Sequence, residues 1–254
     1  MFCRFRVVAL ISLLLAGVDL CIAGTLYVSL TGDDKNNGKT EETAWRTFTH
    51  ATEQAKAGDT VYIKAGDYGP ERITVRNSGT KDKPIVFQGY QKEPGDNPFP
   101  NYKPGDAPDP ALMPLLNGKD GTGIAIKLRN KKHVQFKNLA LTRYDWGIYP
   151  LNCEHIVLDH VFATNCYKEE NPSYGVGFYF IASHHSAVRD CIVADASGNN
   201  IVALRSNFMV IENCKTYATV EDGIKRPDYG IVIGDSHDCV IRNCLAHNLY
   251  PENG

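Results

Sequence analysis

The chain has no Cys-x-x-Cys motif, no excess of charge of one sign, and no apolar run long enough to cross a membrane. Each absence excludes something. Without Cys-x-x-Cys spacing a structural zinc site is disfavoured. With 27 Lys and Arg against 29 Asp and Glu, nothing points to nucleic acid, and an anionic partner needs a local basic patch. The main apolar run, Val7 to Val18, is too short for a membrane span, and Asp19 interrupts its end. It reads as a secretory leader over residues 1–23, with Arg4 and Arg6 at its start and Cys21-Ile22-Ala23 as the cleavage site. A lipid anchor at Cys21 lacks the small residue expected before a lipidated cysteine. Cleavage removes two basic residues and one acidic, leaving 25 against 28, a net charge of −3. The expectation is a secreted or periplasmic protein, monomeric and free of the membrane once cleaved.

The second half also lacks the three-and-four apolar spacing of a helix. What it has is one phrase written five times. Val134-Gln135-Phe136-Lys137-Asn138-Leu139 aligns with Ile156-Val157-Leu158-Asp159-His160-Val161, then with Ser186 to Cys191, Met209 to Cys214 and Cys239 to Cys244. The third position is apolar (Phe136, Leu158, Val188, Ile211, Ile241) and the fourth charged (Lys137, Asp159, Arg189, Glu212, Arg242). The fifth is a turn former or His (Asn138, His160, Asp190, Asn213, Asn243). From Asn138 the steps are 22, 30, 23 and 30 residues. Repeats of this length cannot bury an apolar face alone and must stack. An in-out-turn-in pattern is that of a strand, a tight bend and another strand. A second phrase precedes each repeat: Gly147-Ile148-Tyr149, Gly177-Phe178-Tyr179, Asn200-Ile201-Val202 and Gly230-Ile231-Val232.

Short strands in coils of about 22 residues, with Asn at the bend, describe an all-β, right-handed parallel β-helix. The repeats resemble those of the pectate-lyase-type β-helix proteins, including calcium-dependent polysaccharide lyases. Residues 24–254 are expected to form the β-helix. Tyr27 to Tyr68, within residues 24–68, resembles the cap and first coil of secreted β-helices, with a short helix where Phe48, Ala51, Thr52 and Ala55 share one face. Seven of thirteen prolines fall between residues 91 and 114, which marks a loop thrown off the coil, and regular coils follow from residue 115 to 254. The chain stops at Gly254 where another Gly phrase is due, so a longer parent protein is expected.

Six cysteines follow the leader, and Cys191, Cys214 and Cys244 share a column with Leu139 and Val161, which reads as small apolar residues stacked inside the coil. His133, His155 and His185 form another column, read as lining a bend rather than holding a metal. Asp33, Asp34, Asn36 and Asn37 read as a solvated turn.

The two long steps carry inserts at one place in the coil, Tyr167 to Tyr174 and Thr219 to Tyr229, with Asp195 in the short rung between them. Equal phase predicts one functional edge. The resemblance implies β-elimination on the uronate of an acidic polysaccharide, in which a base removes a proton beside a carboxylate that a cation neutralises. On that basis Asp195, Glu221 and Asp222 are candidates to hold calcium. Lys225 and Arg226 are candidates for base and clamp. Arg143, Tyr144, Tyr174 and Tyr229 are candidate substrate contacts. A glycoside hydrolase, with Asp195 and Asp222 as its carboxylates, and a non-catalytic carbohydrate-binding or scaffold β-helix stand as alternatives.

Overall fold

Each repeat phrase folds as a strand, a one-residue bend and a second strand. In the computed structural model, which describes residues 23–103, 105–119, 122–167, 174–219 and 229–249, Lys132–Thr142 and Glu154–Thr164 run through the bend as single strands. Later coils divide there, into Ala187–Arg189 with Ile192–Ala194, Val210–Glu212 with Lys215–Tyr217, and Val240–Arg242 with Leu245–His247. Rungs stack in parallel, so that Phe136, Leu158, Val188, Ile211 and Ile241 are register partners in turn. Thr25–Val28, Thr60–Lys64 and Ile85–Tyr90 begin the same sheet. A second parallel sheet carries the Gly phrases in Trp146–Leu151, Val176–Ile181, Asn199–Leu204 and Tyr229–Gly234, preceded by Ile73–Thr74 and Ile124–Arg129. The expected parallel β-solenoid is what forms. Glycine begins these phrases because the walls meet there: a Cβ on Gly177 would lie 2.2 Å from Val193 Cγ1.

The corners are made by single residues in the left-handed region, stacked in columns. Asn138, His160, Asp190, Asn213 and Asn243 have φ between 49° and 55°, and Arg143, Asn165 and Asp195 between 51° and 60°. His133, His155, His185, Phe208 and Asp238 make a third column and Asn130, Asn152, Ala182, Arg205 and Asp235 a fourth. Asn, Asp and His tolerate this region better than most residues, which is why the columns are rich in them. The histidine column is thus a bend, as the sequence suggested.

Inside, apolar columns form one cluster from Val28 to Cys214, with Cys239 and Cys244 packed against it. Phe87 and Phe136 stack at 5.2 Å, and Phe48, from the helix Phe48–Gln54, covers both. The helix starts at Thr47, whose hydroxyl accepts from His50 N, and buries Phe48, Ala51 and Thr52. It packs Phe48 against the interior of the first coils. The six cysteines among the described residues are free thiols.

The proline-rich segment departs from expectation. It leaves the ladder, as proline demands, but then folds back across the outer face of the sheet. Tyr102 packs on Phe162 at 4.4 Å and Phe99 meets the His160 ring edge-on at 5.1 Å. Tyr217 Oη donates to Lys103 O and Lys215 Nζ to Asn101 Oδ1. The reason is an outward apolar column, Ala140, Phe162 and Ile192, that water would otherwise reach; with Tyr102, Met113, Leu115 and Tyr217 it forms a second buried cluster.

Candidate functional site

The edge expected to carry function is a corner. The strands ending at Thr142, Thr164, Ala194 and Tyr217 are register partners, and the residues that follow, Arg143, Asn165 and Asp195, turn the chain through the left-handed region. Rungs lie about 4.8 Å apart, which puts Arg143 about 10 Å from Asp195 along the stack, with Asn165 between them. Both inserts are rooted here. Tyr167 N donates to Tyr144 O, and Thr219 donates to Asp195 through its backbone N to Oδ1 (2.5 Å) and its Oγ1 to Oδ2 (2.8 Å). The roots of the two inserts therefore emerge in phase. Lys225, Arg226, Glu221 and Asp222 lie outside the described residues, as do residues 168–173 of the first insert, residues 1–22 of the expected leader and residues 250–254.

One expected substrate contact is corrected. Tyr144 is 0 % exposed, and its hydroxyl donates to Glu71 O at 2.8 Å. A left-handed residue interrupts the alternation of a strand, so the side chain after each of these corners turns inward. Tyr144, Cys166 and Ala196 are all buried for that reason. Burial also pushes the Tyr144 hydroxyl above its usual range and the Cys166 thiol up to about 12, so neither is a ready nucleophile or base. Arg143, by contrast, is exposed, as are Tyr174 (57 %) and Tyr229 (59 %). Trp146 was not singled out from the sequence. Its Nε1 donates to Tyr174 O, and its ring packs with Tyr149 at 4.9 Å and Tyr179 at 5.3 Å, fixing the end of the first insert. The signal available was its place directly before Gly147.

Beside this corner the folded-back segment closes a cleft of about 180 Å³ between Gly105, Asp106 and Ala107 on one side and Thr164, Asn165, Asp195 and Thr219 on the other. Its donor set is oxygen only, from two carboxylates, an amide and two hydroxyls. Each Asp195 oxygen accepts one bond from Thr219 and keeps a further acceptor site, so the residues present fit a hard cation such as calcium. Asp34, in the amino-terminal loop, is instead consumed by the turn: it accepts from Arg46 N, Thr47 N and Thr47 Oγ1, and these bonds hold its carboxyl below the usual range against the opposing effect of burial.

A second cleft, about 210 Å³, opens on the other flank of the same segment, lined by Phe99, Pro100, Asn101, His160, Asp190, Asn213 and Lys215 among others. Asp159, His160 and Asp190 bring one ligating atom each to within 4.8 Å of one another. The sequence showed these residues only as a charged position and two bends; their convergence follows from register. Among the described residues no helix is long and apolar enough to cross a membrane.

The family described as the right handed beta helix region matches residues 117–253. The chain belongs to the right-handed β-helix family. This β-helix chain is 50 % identical over 68 residues to an uncharacterized protein, YwoF, of Bacillus subtilis, and 28 % identical over 150 residues to pectate lyase PEL9 of Emericella nidulans. These stretches are 27 % and 58 % of the chain but only 14 % and 35 % of those proteins. Among solved structures, the lacto-N-biosidase of Eubacterium ramulus matches with a TM-score of 0.61 at 13 % identity, over 89 % of this chain and 52 % of that one. A rhamnogalacturonan lyase matches at 0.61 and 14 %, over 90 % and 63 %, and pectate lyase Pel9A at 0.55 and 15 %, over 78 % and 55 %. At these identities the structures speak to the fold: lyases and a glycoside hydrolase share it.

Proposed function

We propose that this β-helix protein is a calcium-assisted lyase that cleaves an acidic polysaccharide by β-elimination along the Arg143–Asn165–Asp195 corner. The supporting observation is the shared column of Arg143 and Asp195 with both insert roots beside it, and with Asp106 facing Asp195 across one cleft. Likeness in part of the chain to a pectate lyase points the same way. Asp195 and Asp106 would hold the cation, with Glu221 and Asp222 of the insert as further candidate ligands. When bound, calcium neutralises the uronate carboxylate and acidifies the neighbouring C–H. Lys225 is the candidate base that takes the proton; the carbon–carbon double bond forms as the glycosidic C–O bond breaks, and the leaving oxygen takes a proton from water, with Arg226 as a candidate clamp. Arg143 clamps a carboxylate further along the chain, a task for which its planar donor fork is suited. Tyr174 and Tyr229, exposed at the ends of the inserts, offer faces to sugar rings. In this reading the protein is exported, loses its leader and acts outside the cell as a monomer.

The test incubates the mature protein with pectate, alginate and glycosaminoglycans, with calcium and with chelator, and follows the ultraviolet absorbance of unsaturated uronate. Calcium-dependent product on one substrate is expected, and Asp195→Ala should lower the rate about 10- to 100-fold. Silence on every substrate sinks the lyase reading. New reducing ends without unsaturation assign a glycoside hydrolase instead.

A further inference from the structure

The corner column opposite Asp195 carries a ladder of side chains. Asn243 Nδ2 donates to Asn213 Oδ1, and Asn213 Nδ2 donates to Asp190 Oδ1 at 3.1 Å. At the lower end Asn138 Nδ2 donates to Gly89 O on the preceding rung at 3.1 Å. The ladder breaks between these ends, at His160. There the imidazole is held by its own neighbour, with Nδ1 2.5 Å from Asp159 Oδ1, and it takes no place in the chain of amides. The break leaves Asn138 Oδ1 buried without a hydrogen-bond partner in a residue only 1 % exposed. The amide nitrogen of Asn138 is committed to the rung below, and His160 is the corner residue of the rung directly above it. An orphaned buried acceptor is costly and calls for an occupant.

We propose that His160, Asp190, Asp159 and Asn138 form a binding site for a divalent transition-metal ion of borderline softness, such as zinc or manganese. Asp159 on Nδ1 fixes the tautomer that leaves the His160 Nε2 lone pair free, the usual arrangement behind a metal-bound imidazole. Asn213 orients Asp190 in the same way. Asn138 Oδ1 meets the ion directly or through a bound water, which supplies its missing partner. Phe99, edge-on to the imidazole, and Pro100 roof the cleft and limit water. The local charge favours a cation: two carboxylates face one ammonium, Lys215, which is itself bonded to Asn101, while Arg189 is paired with Glu212. One nitrogen with carboxylate oxygens selects a borderline ion over calcium, which takes six to eight oxygens. This site lies at a different corner from Asp195 and does not rest on the proposed lyase activity.

The test equilibrates the mature protein with zinc alone, removes excess ion by gel filtration and counts bound metal by mass spectrometry. One ion per chain is expected. Asp190→Asn and His160→Gln should each weaken binding at least about tenfold, while Asp195→Ala should leave it unchanged. In the wild-type protein, manganese should broaden one histidine NMR resonance, identified as His160, and spare those of the His133–His155–His185 column. That measurement stands even if a variant fails to fold. No retained zinc, broadening confined to other histidines, or equal loss of zinc binding in Asp195→Ala would each overturn the proposal.

Discussion

His155 sits in a stack of rings, 4.4 Å from His133 at 7° and 5.3 Å from His185 at 19°, and Phe208 continues the stack 4.5 Å beyond. Partial burial, and then the two flanking imidazoles, lower the His155 pKa, with Glu154 opposing and Lys132 adding to the effect. A folded-state pKa below the unfolded one means that the unfolded chain binds the proton more readily. The stability this gives is present above the ordinary histidine range and is lost as pH falls through the depressed value. Thermal unfolding followed between pH 7.5 and 5 should therefore show a falling midpoint on acidification. His155→Phe, which copies the Phe208 rung, should flatten that slope. The column itself was legible because its spacing repeats. The burial of Tyr144 was not: its neighbour Arg143 sets that rotation through its left-handed φ, which the residue type alone does not announce.

At the scale of elements, proline content told that residues 91–114 leave the ladder, as residues 91–113 do while Pro114 opens the next strand, and nothing in it told where they go. That depended on outward residues in distant coils, Phe162 and Ile192, which the repeat pattern did not flag because it tracked the inward positions. Tyr102 is the anchor of the segment on those residues. Tyr102→Ala should cost about 3 kcal/mol in denaturant unfolding if the segment melts with the coil. The same variant should become cleavable by protease between residues 91 and 113, where the wild-type protein resists. Unchanged stability together with unchanged protection would mean that the segment is held by something other than its aromatic contacts. The short helix, in contrast, was readable from the face that Phe48, Ala51 and Thr52 share, although its start at Thr47 and its end at Gln54 were not.

The whole molecule was the most legible level, because a solenoid writes its architecture once per coil. Phase is kept even where the stack runs out of neighbours: Ile241 pairs with Ile211 in register although it is 49 % exposed. The same stacking governs the thiols. Cys153, Cys166, Cys191 and Cys214 are buried and Cys239 and Cys244 half-buried, and burial raises the thiols of Cys153, Cys166, Cys191 and Cys244 alike, so access is what separates the two groups. Alkylation of the native protein near neutral pH, mapped by peptide mass spectrometry, should mark Cys239 and Cys244 first, with the other four labelled only on unfolding. Rapid labelling of Cys191 in the native protein would contradict the inward column. What the sequence could not place was the convergence of Asp159, His160 and Asp190, because that depends on adjacent coils being the same height apart while differing by eight residues in length.

Those eight residues all enter at one bend. The coil from His160 to Asp190 takes 30 residues and the one from Asn138 to His160 takes 22, yet the rungs on either side keep their partners, as Phe178 does with Ile148 and Ile201. The bend therefore works as a graft port: chain of new length and composition can be spliced in there while the rest of the scaffold goes on folding as before. A protein built this way can change what it grips without renegotiating how it stands.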